Sequence, residues 1–563
     1  MKKFTPYILS FLLLSCSESY NPAVVSARKE ASDIGAQIMQ KGGNAFDAMI
    51  AVHLALAVVY PIAGNIGGGG FVVYQTSDGQ SGSLDFREKA PGKAFKDMYL
   101  DDNGDVIDGM STLGGAAIGV PGSISGIFEI YDRFGSLPIQ DLFQPAIDLA
   151  NNGFIVTKNQ EANLNEKIEE IISINGKESL FSKVYKEGDT IINEKLSKTL
   201  SAIAKNGARE FYEGSIAEMI VDEVVESGGI ITMDDLIQYE SVWRDPVKFD
   251  YKDLEIISMS LPSSGGILLG QMLRAIEDYD IGQYGHNSPE SIQLMVEAER
   301  RAYADRSFFM GDPDFGNNLP VYELIAKDYV KQRMESFSWE KATPSDEISH
   351  GELIVEESDQ TTHYSIIDHN GNSVSVTTTL NTNYGSKVFV EEGGFFLNNE
   401  MDDFSSKPGY PNTFGLIGSE ANSIEGNKRM LSSMTPTIVL KDGKPSLILG
   451  TPGGSTIITS VFQTILNVYE FGMSIKEAVK VPRFHHQWLP DAVIFEDGVL
   501  DRTKDSILRS KNYTIVPLPI SIETSGMSPR SSIGRVDAIF INEKGEVKGG
   551  ADPRGDDHAT ILK

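Results

Sequence analysis

Cys16 is the only cysteine in 563 residues, so no intramolecular disulfide can brace the fold. Cations are scarce. Lysine and arginine total 49 against 79 aspartates and glutamates, a net charge of −30. That balance argues against nucleic acid and against anionic membrane surfaces as partners, although an anionic chain can still hold one arginine in a pocket. The apolar run Ile8 to Leu14 is too short to span a bilayer, and no later run is long enough for a transmembrane helix. There is no Gly-x-Ser-x-Gly elbow of the serine-hydrolase kind. The run Gly67–Gly70 lacks the Lys-[Ser/Thr] of a phosphate loop and precedes a strand rather than a helix, which favours close backbone packing over phosphate binding. No internal repeat or low-complexity tract is present. What remains is a globular composition, 40% hydrophobic, ample for a large core and long enough to suggest several domains.

The setting of Cys16 is informative. Lys2-Lys3 makes a short basic region, Ile8 to Leu14 an apolar one, and Leu13-Leu14-Ser15-Cys16 resembles a bacterial lipoprotein cleavage box. The resemblance implies a signal peptide over residues 1–15, lipidation of the Cys16 thiol and a tether over residues 16–24. An ordinary signal peptide and a buried free cysteine are the alternatives. Ser17 resembles the outer-membrane sorting choice, so the expected location is the cell envelope, as a periplasm-facing lipoprotein of the outer membrane.

Ala27 to Ala57 carries small and apolar residues at helical spacing, broken by Gly42-Gly43, and predicts two packed helices. Residues 123–152, 196–227 and 288–308 also predict helices. Asp234 to Tyr251 with Ile256 to Met259 predicts a helix followed by a strand, and Leu261 to Gly266 opens another helix. Residues 340–360 are acidic and polar, the composition of an exposed, mobile segment suited to proteolytic processing. After Thr361 the texture turns to β. Thr361–Ile367 and Ser373–Thr379 alternate with period two and are joined through Asn370-Gly371, a hairpin signal. Phe395–Asn398, Thr437–Leu440, Leu447–Leu449, Val536–Ile541 and the stretch around Val547 predict further strands, with a second turn at Lys441–Lys444. Thr451 to Tyr469 predicts a helix entered through Pro452-Gly453-Gly454. Strands followed by helices in both halves suggest sheets covered by helices.

Thr361 is chemically ordinary inside a peptide. If the Gln360–Thr361 bond were cut, its α-amine would be free, with a pKa of roughly 7.7–8.0, low enough to act as a general base beside its own hydroxyl. By itself Gln-Thr-Thr-His is a weak signal, and a β-branched strand start is its simpler reading. Other polar clusters flank apolar strands. They sort into an amine binder (Asn381, Glu400, Asp403), hydroxyl donors (Ser432, Ser433) and two glycines, Gly453 and Gly454, ahead of a helix, where backbone N–H groups form an oxyanion hole. Far upstream, Arg87 ends a strand before a proline loop, and its fork matches a carboxylate. Each cluster alone also fits ordinary turn or cap chemistry.

In order along the chain, Gly64–Phe71, Asp85–Pro91, Gly119–Gly122, Gln360–Ser365, Leu397–Phe404, Leu431–Pro436, Thr451–Gly454 and Val481–Trp488 resemble the motifs of the γ-glutamyltranspeptidases, members of the N-terminal-nucleophile hydrolase superfamily. The resemblance runs from about Ala23 to Ala551-Asp552-Pro553-Arg554. It implies an α+β fold, a four-layer αββα sandwich. Two subunits from one precursor would share one core: a large one, residues 25–360, and a small one, residues 361–563, remaining together as a heterodimer. It implies Thr361 as nucleophile and Gln360–Thr361 as the self-cleavage site, with Thr379 supporting the Thr361 hydroxyl. Arg87, Ser432 and Ser433 would hold the α-carboxylate of a γ-glutamyl group; Asn381, Glu400 and Asp403 its α-ammonium; Gly453 and Gly454 the oxyanion. The implied substrates are glutathione and other γ-glutamyl compounds, with water, amino acids or dipeptides as acceptors and no cofactor or metal. Lys407 to Asn422 matches a lid loop in which Phe414 stands where many bacterial members have tyrosine.

Rival readings are a glutaryl-cephalosporin-type acylase of the same superfamily, a metal site at His485-His486, and a non-enzymatic, unprocessed lipoprotein. Adjacent strand residues point to opposite faces, which disfavours the metal site. A glutaryl side chain has no ammonium to neutralise, so Asp403 favours γ-glutamyl substrates.

Overall fold

The computed structural model describes residues 19–316, 320–348, 361–407, 409–410, 412, 416, 418–519 and 532–563. Cys16, Gln360 and Phe414 lie outside the described residues, as do the signal-peptide region and most of the acidic segment.

Two antiparallel sheets carry the architecture. The first holds β1 (Ala23–Ser26), β2 (Gly69–Gln75), β3 (Ser81–Asp85), β4 (Val242–Arg244), β7 (Thr362–Ile367), β8 (Ser373–Thr379) and β13 (His558–Ile561). The second holds β5 (Val247–Tyr251), β6 (Leu254–Ser258), β9 (Thr437–Lys441), β10 (Lys444–Gly450), β11 (Asp537–Ile541) and β12 (Val547–Gly550). Their orders are β13-β1-β7-β8-β2-β3-β4 and β12-β11-β10-β9-β6-β5. Each sheet therefore combines strands from both sides of residue 360.

Side-chain parity sorts the layers. In β2, Val72 and Tyr74 join the core under helices α1 (Lys29–Gln40) and α2 (Ala45–Val59), while Phe71 and Val73 point between the sheets. In the second sheet, Ile438 and Ile448 point inward, and Val439, Leu447 and Leu449 pack under α3 (Gly265–Ile276), α4 (Pro289–Phe309) and α5 (Thr456–Tyr469). The result is helix, sheet, sheet, helix, the αββα sandwich the resemblance implies.

The alternation in β7 and β8 has a different cause from a solvated face, since both faces are buried in every residue. The polar face meets the second sheet. His363 Nδ1 pairs with Thr377 Oγ1 at 2.9 Å and its Nε2 with Ser365 Oγ at 3.0 Å; the Ser375 hydroxyl donates to Leu449 O at 3.0 Å. Burial drops the His363 pKa to about 3, so the ring stays neutral in this interface.

Several expectations change. Ala23 and Val24 belong to β1, a buried strand between β7 and β13, and Tyr20 is itself buried, so residues 20–24 are part of the fold rather than of a tether. Four residues without a turn signal carry too little pattern to announce a strand. The Asp234–Tyr251 element is a five-residue helix, Met233–Ile237, followed by β4 and β5, which lie in different sheets. Its apolar pattern could not show that change of sheet at Asp245-Pro246. The start of the acidic segment is anchored rather than exposed: Ser345 is buried, and its hydroxyl donates to Trp488 O. The Lys441–Lys444 turn has positive φ at both central residues, Asp442 (53°) and Gly443 (74°), as a tight hairpin requires.

The glycine run packs backbone on backbone. A Cβ on Gly68 would lie 2.0 Å from Thr379 O, and one on Gly70 2.4 Å from Thr377 O. Gly68→Ala should therefore push on the end of β8 and destabilise by roughly 1–3 kcal/mol. Gly79→Ala sits in an open turn with φ 89° and nothing within 4 Å, so it should lose only about 1 kcal/mol, from backbone strain. Thermal midpoints of the two variants check the ranking; an equal drop would contradict it.

Candidate active site

Thr361 is buried at the head of β7. The register pairing Thr362 with Thr378 brings Thr361 level with Thr379. The Thr379 hydroxyl accepts the Asn381 N–H at 2.7 Å, and Asn381 turns the chain with φ 74°. Asn381 Nδ2 donates to Asn399 O at 3.1 Å, tying this corner to the turn that carries Glu400 and Asp403.

Arg87 enters from the large segment. Its backbone is fixed at both ends: its N–H donates to Asp85 Oδ1 at 2.9 Å, and Tyr239 Oη donates to its carbonyl at 2.7 Å. The guanidinium bonds Glu400 through Nη1 and Asp403 through Nη2, and Glu88 lies 3.6 Å from Nη1. The sequence reading placed Arg87 with the substrate carboxylate and the two acids with its ammonium. The structure puts all three in contact.

Three carboxyls around one guanidinium cannot all ionise in a buried site. Burial pushes Glu400 and Asp403 up and Arg87 pulls them back. Glu88 is pushed up to about 8 by burial, only partly opposed by Arg87. Glu400 is likewise raised well above its usual value and has one unpartnered oxygen, so the carboxyl cluster as a whole holds a proton at neutral pH. Burial would lower the Arg87 pKa, but the carboxylates more than offset it, and the guanidinium remains charged.

Ser432 and Ser433 lie opposite, on the strip before β9. The Ser432 hydroxyl accepts Met434 N–H at 3.1 Å, and Arg306 Nη2 of α4 donates to Ser433 Oγ at 3.2 Å. Gly453 (φ 136°) and Gly454 (φ 54°) turn the chain into α5. A Cβ on Gly453 would meet Thr456 Oγ1 at 2.5 Å, so the turn admits only glycine there.

Arg87, Thr361, Thr379, Asn381, Glu400, Asp403, Ser432, Ser433 and Gly454 line one cavity of about 20 Å³, room for one water. Gly453 lines the adjoining cleft instead. The cavity also includes Arg306, Leu416, Met434 and Ile457, none of which the sequence reading singled out. Arg306 sits in an ordinary helical pattern and gave no signal. Between Lys407 and Asn422, Leu416 reaches the cavity, and Asn412 Nδ2 donates to Asp403 Oδ1 at 3.1 Å. His485 and His486 serve packing: His485 Nδ1 pairs with Thr459 Oγ1 at 2.8 Å, and His486 Nε2 faces Asp491 at 3.3 Å.

A cut ahead of Thr361 would leave both pieces knitted into the same two sheets, with a free threonine amine opening onto the Arg87 cavity. That architecture is the N-terminal-nucleophile hydrolase fold. The sequence model described as Gamma-glutamyltranspeptidase matches residues 31–562, and the chain belongs to that family. It is 43% identical over 541 residues to the glutathione hydrolase proenzyme of Escherichia coli (strain K12), covering 95% of this chain and 91% of that one. It is also 33% identical over 543 residues to the acylase ACY 1 proenzyme of Pseudomonas sp. (strain SE83), covering 95% and 92%. Among solved structures, the γ-glutamyltranspeptidase of Helicobacter pylori matches with a TM-score of 0.57 and 43% identity over 58% of this chain and 94% of that one. A cephalosporin acylase from Bacillus halodurans shares the fold, with a TM-score of 0.82 at 20% identity over 100% and 99%.

Arg87→Met would leave Glu88, Glu400 and Asp403 facing one another without a cation and should destabilise by about 3–5 kcal/mol. The sign with pH follows. In this variant the folded carboxyl pKa values rise above their unfolded values, so stability is present at low pH and lost as pH rises through the folded values. The deficit against wild type should be smaller near about pH 5 than near about pH 8. Thermal midpoints across that range check it, and a deficit that shrinks with rising pH would refute it.

Proposed function

We propose that the chain is a γ-glutamyltransferase and glutathione hydrolase, made as a precursor that cleaves itself between Gln360 and Thr361. The observation that carries the reading is the Arg87–Glu400–Asp403 arrangement beside Thr361. A γ-glutamyl head group has one carboxylate and one ammonium on the same carbon. It can replace the internal ion pairs with two of its own, the carboxylate taking Arg87 and the hydroxyls of Ser432 and Ser433, the ammonium taking Asn381, Glu400 and Asp403. The cavity of about 20 Å³ must widen for this, and exchanging one set of ion pairs for another keeps every buried charge partnered. Ligands lacking either group leave buried charges unpaired and are rejected.

In self-cleavage the Thr361 hydroxyl attacks the Gln360 carbonyl. The C–N bond breaks as the C–Oγ ester forms, which frees the α-amine with the hydroxyl proton, and water then hydrolyses the ester to the Gln360 carboxylate and the free Thr361 hydroxyl. In turnover that amine takes the hydroxyl proton as Oγ attacks the γ-carbonyl. Gly453 and Gly454 N–H groups ahead of α5 would stabilise the oxyanion. The departing amine takes the proton and leaves a γ-glutamyl ester, which water converts to glutamate and an acceptor amine to a new amide. The H. pylori chain matches 58% of this sequence, close to the share of residues 25–360, which supports two chains from one precursor. Lipidation at Cys16 and attachment at the cell envelope belong to the same reading, supported by the Leu13–Cys16 sequence.

The acylase relative makes glutaryl amides the second reading, because a glutaryl group presents the carboxylate without the ammonium. γ-Glutamyl-p-nitroanilide should be hydrolysed at least about tenfold faster than glutaryl-p-nitroanilide, since the latter leaves Glu400 and Asp403 unmatched. A preference for the glutaryl compound would reverse the assignment. A denaturing gel should show two bands, the smaller beginning at Thr361 by N-terminal sequencing. Thr361→Ala should stay a single band without turnover; residual cleavage would point to another nucleophile.

A further inference from the structure

The serine strip before β9 is held from behind. The Ser432 N–H donates to Pro262 O at 2.8 Å, and the Ser264 N–H and hydroxyl both donate to Ser432 O, each at 2.8 Å. The Ser263 hydroxyl donates to Met434 O at 2.6 Å. Ser264 stands at the head of α3, so the entry to this helix doubles as a backing for the strip. These bonds fix the backbone from Ser432 to Met434. They leave the direction of the Ser433 hydroxyl open.

Arg306 removes that freedom. It lies in the last turn of α4, is 4% exposed and lines the cavity with Ser433. Its Nε donates to Ser264 Oγ at 2.9 Å and its Nη2 to Ser433 Oγ at 3.2 Å. One planar fork therefore grips both sides of the Ser432–Ser433 peptide. A guanidinium only donates, so both serine oxygens accept from it. Ser264 gives its own proton to Ser432 O. The Ser433 O–H cannot point at Arg306 and has no acceptor among the described residues, which leaves the cavity as its direction. A hydroxyl that accepts from a cation is also polarised into a stronger donor. The charge reaches further. Burial pushes Asp403 up, and Arg306 joins Arg87 in opposing it.

We propose that Arg306 is a positioning residue for the α-carboxylate of the donor substrate: by donating to Ser433 Oγ it holds that hydroxyl as a donor aimed at the carboxylate. It acts through Ser433, whereas Arg87 binds the same carboxylate directly. The inference rests on the γ-glutamyl reading above, in which the carboxylate lies between Arg87 and the two serines.

The test compares γ-glutamyl-p-nitroanilide with γ-aminobutyryl-p-nitroanilide, which keeps the ammonium and lacks the α-carboxylate. Arg306→Met should lower the ratio of their kcat/KM values about tenfold, mainly by raising KM for the γ-glutamyl compound, while the γ-aminobutyryl compound changes less than about threefold. Arg306→Lys keeps the charge without the fork and should lower the ratio by about threefold. Added to Ser433→Ala, Arg306→Met should lower the ratio less than about twofold further, because the hydroxyl it orients is already gone. A merely structural role would slow both compounds by one factor. That result, or full additivity with Ser433→Ala, overturns the assignment. If the methionine variant does not fold and cleave itself, Arg306→Lys and Ser433→Ala decide: an unchanged ratio in either overturns it. Failure of the γ-glutamyl reading shows instead in the wild-type protein, as equal use of the two compounds, and removes this inference with it.

Discussion

One buried guanidinium organises the site. Arg87 stands at the end of β3, and the acids it binds, Glu400 and Asp403, lie across the chain on the other side of Thr361. Such a group is expensive to bury and contributes little net stability when merely paired. Here it has three carboxyls around it, all pushed up by burial, so the cluster is not fully ionised. The free site is therefore internally matched. Its charges stand where a zwitterionic head group would need them.

That pairing requires both halves of the chain to share one core. The nucleophile strand β7 lies between β1, from the start of the chain, and β8, which in turn pairs with β2. Apolar layers hold the sheets to their helices, and the hydroxyls of Ser365 and Ser375 join sheet to sheet beneath the site. Cutting one peptide bond in such an arrangement removes almost no packing, so a self-cleaving precursor can mature without unfolding. The glycines before β2 complete the fit, because Thr379 can approach only where no Cβ intervenes.

Much of this was legible in the residues. Helical spacing marked α1, α2 and α4, turn residues marked both hairpins, and the ordered motifs indicated Arg87, Thr361, Asn381, Glu400, Asp403 and Ser432 before any coordinates. Nine of the indicated residues meet in one cavity, and Gly453 borders it from the neighbouring cleft. What stayed hidden lacked local pattern. β1 is four residues long, the crossing from β4 to β5 takes one dipeptide, and Arg306 is one arginine among several on a helix.

The sequence by itself determined the chemistry: a threonine able to become an N-terminal nucleophile, an arginine and acids suited to an amino acid head group, glycines ahead of a helix, and the family to which the chain belongs. Only the tertiary structure decided how these groups are paired. It placed Arg87 directly on Glu400 and Asp403, brought Glu88 to the same guanidinium and buried both faces of the nucleophile strand. The reason is physical. Residue type and spacing specify local conformation and reactivity, whereas charge pairing and burial depend on which distant strands become neighbours, and that is settled by packing the two sheets together.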